Sequence, residues 1–127
     1  MRRLAKDLMA TEGSGDESSE TKSQAAFRVC EKLRPHLATL MGNSGYWAHL
    51  SRALALAKAE VPWLRTVRVK ADGAFEGLEE LQAQVGADVF FEGGVVLVAQ
   101  VLGLLVAFVG EDLTLRMVRD AWPKPPR

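Results

Sequence analysis

At 127 residues, with 48% hydrophobic and 25% charged side chains, the chain has the composition of an ordinary globular domain, and that length buries about two-thirds of the unfolded surface without help from metal or disulfide. Its single cysteine, Cys30, excludes an intramolecular disulfide and gives no reason to place the protein in an oxidising compartment. Lys plus Arg equal Asp plus Glu at 16 each, and a pI near 6.7 lacks the basic footprint of a nucleic-acid binder. That neutrality hides a segregation: residues 23–70 carry a formal charge of +6, and residues 71–112 carry −8 with no Lys or Arg at all. Two such halves attract each other within one chain or between two copies.

The first residues, Met1 to Leu8, include basic side chains but no following apolar run, so they do not read as a secretory signal. Leu4, Leu8 and Met9 line one face of a helical turn too short to be stable alone. Residues 11–24 contain no apolar side chain and are rich in Ser, Glu and Gly, which leaves nothing to offset their ordering entropy. Residues 1–22 are therefore expected to be a disordered tail, with order beginning near Ser23.

Phe27, Cys30, Leu33, Leu37, Leu40 and Met41 recur at spacings of three and four, the stripe of an amphipathic helix. Pro35 interrupts it, which predicts a kink or two short helices meeting near Arg34. Gly42 supplies a stop. A second helix follows with Tyr46, Trp47, Leu50, Leu54, Ala57 and Val61 as its buried side, ended by Pro62. From Thr66 to Glu76 the period changes to two: valines alternate with basic residues and lead into Asp72-Gly73, a pair suited to the positive φ angles of a tight hairpin. Leu78 to Val85 reads as a short helix stopped by Gly86.

Gly93 to Gly110 is 18 residues without a charge, and Gln100 is its only strongly polar side chain. It is just long enough, at about 27 Å, to span a bilayer. Glu92 before it and Glu111-Asp112 after it are poor interfacial flanks, so a buried central helix is preferred. Beyond it, apolar residues interleave with Arg116 and Arg119 as far as Trp122. The expected architecture is mainly α: a small helical bundle around a long central apolar helix at about 88–122, open to a break at Gly110, with one short β-hairpin at about 66–76. Residues 23–122 form the domain and 123–127 a C-terminal tail whose Pro-Lys-Pro-Pro-Arg has the shape of a polyproline ligand.

Ala99, Gly103 and Ala107 fall at i, i+4 and i+8, with Gln100 beside them. Small residues on one helix face let another backbone approach closely, and the simplest occupant is another helix of the same chain, followed by a second copy or a membrane partner. Arg65, Arg68 and Lys70 form a candidate basic patch on one side of the strand. Cys30, His36 and His49 have no compact metal-ligand spacing, there is no phosphate-binding glycine loop, and Glu76, Glu79 and Glu80 read as a solvated helix face. No cofactor and no catalytic constellation is expected. The chain reads as a non-catalytic, cytoplasmic helical module that binds protein, itself first of all. The alternative is a small membrane-anchored protein with residues 93–110 in the bilayer.

Overall fold

The computed structural model describes residues 1–13 and 25–123. The chain is a helical bundle: α1 (Arg2–Gly13), α2 (Ala25–Glu60), a 3-10 turn (Pro62–Thr66), the strands β1 (Arg68–Val69) and β2 (Phe75–Glu76), then α3 (Leu78–Val85), α4 (Ala87–Val109) and α5 (Glu111–Ala121). The apolar run becomes α4, against which α1, α2, α3 and α5 all pack. The long central helix ends at Gly110, where φ of 91° turns the chain and α5 starts afresh. Acidic Glu111 and Asp112 occupy the first turn of α5 and Arg119 the last, an order that suits the helix dipole.

Pro35 does not divide α2. The helix runs through it, and the one non-helical residue is Gly42, at φ 77° and ψ 170°. Glycine takes those angles without strain, and the result is two arms, residues 25–41 and 43–60. The Tyr46 hydroxyl donates to the Cys30 carbonyl at 3.2 Å, which folds the second arm against the first. The apolar stripe of each arm faces inward: Val29, Cys30, Leu33 and Leu37 on one, Tyr46, Leu50, Ala53, Leu54 and Ala57 on the other. Trp47, expected on the buried side, is 42% exposed, because one turn past the bend the core takes Tyr46 and leaves its neighbour outside.

The hairpin is present, with Arg68 opposite Glu76 and Val69 opposite Phe75. Its turn is longer than the two-residue type. Lys70 N–H donates to the Ala74 carbonyl and Gly73 N–H to the Lys70 carbonyl, and Asp72 Oδ1 accepts the Ala74 N–H at 3.0 Å. Only Gly73 takes a positive φ, 87°, the mark of a three-residue loop ending in a left-handed glycine. Two-residue strands are too short to stand alone. Phe75 leans edge-on against Phe27 of α2, with ring centroids 6.4 Å apart, and Val67 just before the strand is fully buried.

The expected tail is corrected over its first part. Residues 2–13 are helical, and Ala5, Leu8 and Met9 are completely or almost completely buried. Leu8 and Met9 each contribute about 1.5–3 kcal/mol by leaving water, enough to recruit a segment whose average composition is polar. The rest of the expected tail, residues 14–22, lies outside the described residues, as do residues 124–127.

Candidate interaction face

α4 has two kinds of small-residue surface, and only one is filled. A methyl group on Gly93 would come within 2.5 Å of the Trp63 ring, and one on Gly94 within 2.7 Å of the Met9 terminal methyl and 3.2 Å of the Ala26 methyl. These adjacent glycines let the 3-10 turn and α1 sit directly on the α4 backbone. A methyl on Gly103 would meet nothing within 4 Å among the described residues beyond its chain neighbours and the helix's own backbone. At Gly103 no other helix of the described residues fills the groove, while Ala99 is packed against the core. Ala99 and Gly103 are half-buried and Ala107 is exposed. Trp63 of the 3-10 turn and Met9 of α1 meet α4 at Gly93 and Gly94, and α2, α3 and α5 pack against it on other sides.

Val89, Glu92, Val96, Ala99, Gly103 and Ala107 follow one another at spacings of three and four, so they share one outward side of the helix. Along its last four turns that side carries no charge. Gln100 marks an edge of it: its Nε2 donates to Glu60 Oε2 at 3.5 Å, and Glu60 is paired with Arg2. His49 Nε2–H donates to the Val101 carbonyl at 2.8 Å, since a carbonyl only accepts. Leu56 lies between His49 and Glu60 on the same side of α2, 40% exposed. Phe108, at the C-terminal end of α4, is 64% exposed, the most open of the large apolar side chains described.

The candidate basic patch does not form on one strand. Arg65 belongs to the 3-10 turn and β1 holds only Arg68 and Val69, so the alternation that was to align Arg65, Arg68 and Lys70 is absent, although all three are exposed. Arg68 has Glu76 as its cross-strand neighbour. Beside the hairpin, Asn43, Ser44, Trp47, Val69 and Ala71 line an open groove of about 410 Å³ that contains no charged side chain. Among the described residues no three His, Cys, Asp or Glu side chains come together as a metal site.

Cys30 is part of the core. Burial, with a smaller contribution from the Glu31 carboxylate, pushes its thiol up to about 12. The thiolate is the reactive form, so a thiol reagent at pH 8 is expected to leave the native protein unlabelled and to label it fully after unfolding. Labelling of native protein at the unfolded rate would show that the first arm of α2 opens freely. The unfolded thiol ionises near 9.0, so the stabilisation from keeping it protonated is complete below that pH and is lost as pH rises towards 12.

No family model, no curated protein and no solved structure matches the chain.

Proposed function

We propose that the protein is a non-catalytic helical module that self-associates through the outward side of α4, centred on Gly103, and that it works in the cytoplasm. The observation that carries this is the open surface at Gly103: on an apolar helix with small residues at 99, 103 and 107, a methyl at Gly103 would meet no other element of the described residues within 4 Å. Glycine in a helix interior costs about 1 kcal/mol relative to alanine, and no packing among the described residues explains it at this position. A second copy is the favoured occupant because, among the described residues, the two charged segments are not joined by an ion pair, although Arg68 stands opposite Glu76 in the hairpin. Among the described residues the ion pairs are Arg2–Glu60, Lys6–Glu92, Lys32–Glu12 and Arg34–Glu31, and none joins a basic residue of 23–70 to an acid of 71–112. A two-fold axis places such surfaces against each other twice.

Sedimentation at about 50 and 500 mM NaCl tests the proposal, because the Debye length falls from roughly 14 Å to 4 Å over that range. The expected result is a dimer that weakens with salt, together with a Gly103→Arg variant that stays folded and is monomeric. A wild-type protein that is monomeric at every concentration rules the proposal out. Recovery only in detergent would instead favour the membrane reading, for which α4 is long and apolar enough. Against that reading stand the pairing of Gln100 with Glu60 and the burial of 56% of the apolar window inside the bundle.

A further inference from the structure

We propose that α1 is a releasable helix, which docks and undocks as a unit while the bundle from α2 to α5 stays folded. The sequence of α1 opposes a free helix. Arg2 and Arg3 crowd the N-terminal end of the helix, where the dipole favours anions, and Glu12 lies in the last turn, where it favours cations. In α5 the charges are arranged the other way round and support the helix. At 12 residues, α1 is also at the lower limit for helicity in isolation. Its helical structure therefore depends on being docked.

Docking has an apolar part and a charged part. Ala5, Leu8 and Met9 insert into the bundle, with Met9 against Gly94. Around them α1 is held by charge at both ends. Arg2 pairs with Glu60, and Lys6 Nζ lies 3.8 Å from Glu92. At the other end Glu12, only 11% exposed, is 2.8 Å from Lys32 Nζ and accepts the Trp122 Nε1–H at 3.1 Å, while Lys32 lies 5.6 Å over the Trp122 ring. Glu12 is thus a latch that joins α1 to α2 and to the end of α5. In α2 to α5 the helices instead meet through extended apolar stripes, so salt and loss of the latch act on α1 before they act on the rest. Release bares Ala26 and Gly94, an apolar floor of the kind that receives an amphipathic helix.

Hydrogen exchange of the full chain, read by mass spectrometry, tests this. Amides of Ala5 to Met9 are expected to exchange at least tenfold faster than those of Val98 to Leu105. Raising NaCl from about 50 to 500 mM is expected to speed exchange in α1 several-fold and leave α4 unchanged. Glu12→Gln should raise the α1 rate at low salt and blunt its salt response, whereas Leu8→Ala should raise the rate and keep that response. One common rate for α1 and α4, in the wild type or in Glu12→Gln, overturns the proposal. So does α1 exchange that neither salt nor Glu12→Gln changes. Exchange is read at concentrations below any dimer dissociation constant, because Glu92, the partner of Lys6, lies on the side of α4 proposed for self-association; sedimentation reads the dimer separately.

Discussion

Replacing Gly93 by alanine is expected to destabilise the protein by about 1–3 kcal/mol, whereas the same substitution at Gly103, ten residues on in the same helix, is expected to stabilise it by up to about 1 kcal/mol. Both positions gain the helical preference of alanine over glycine. At Gly93 that gain is outweighed, because the new methyl lands 2.5 Å from two carbons of the Trp63 ring. The ring is rigid and is tilted against Phe90 with centroids 6.1 Å apart, so it cannot move without disturbing the junction of the 3-10 turn and α4. At Gly103 nothing is displaced. Gly94→Ala should fall between them, since the atom it meets first is the end of the flexible Met9 side chain. Urea unfolding followed by circular dichroism, at concentrations below any dimer dissociation constant, reads all three. Equal effects at Gly93 and Gly103 would refute the distinction between the filled and open surfaces of α4.

Tyr46→Ala is expected to cost about 3–5 kcal/mol, and Tyr46→Phe about 1 kcal/mol. Tyr46 is 2% exposed at the point where the two arms of α2 and the hairpin meet. Its ring lies 5.3 Å from the Arg34 guanidinium carbon, and Gly73 of the hairpin turn is so close that a methyl there would sit 3.1 Å from Arg34 and 3.2 Å from the Tyr46 ring. Removing the ring leaves a cavity bordered by three elements and frees Arg34 from its stacking. Removing the hydroxyl alone loses one bond to the Cys30 carbonyl. Burial pushes the Tyr46 hydroxyl above the ordinary tyrosine range, so it stays a donor wherever the fold survives. Comparable losses for the two variants would show that the hydroxyl, and not the packing, holds the bend.

The two proposals centre on different parts of α4 and share Glu92, which pairs with Lys6 and lies on the outward side. Self-association would use the outward side around Gly103, and release of α1 would open the floor at Gly94. Each has its own readout, molecular mass for one and local exchange for the other. A protein that dimerises with α1 permanently docked, or a monomer with a releasable α1, would keep one and discard the other.

Periodicity and special residues by themselves determined most of the architecture. Apolar spacing located α2, α3, α4 and α5, Gly42, Gly86 and Gly110 marked where helices break, Pro62 closed the second arm of α2, and the valine alternation before Asp72-Gly73 located the hairpin. These are local effects, set by which φ angles a residue tolerates and which face of a helix its neighbours share. Three things were decided only by the tertiary structure. Pro35 is accommodated within a continuous helix and the bend falls at Gly42, an outcome that depends on the Tyr46 contact across the bend. Residues 2–13 are helical because a groove receives Ala5, Leu8 and Met9; composition averaged over the polar residues that follow hides those three side chains. The glycines of α4 also look alike in sequence, since spacing says which positions share a face but not which face is covered. Coverage depends on where α1 and Trp63 return in space, and that assigned close packing to Gly93 and Gly94 and left Gly103 open.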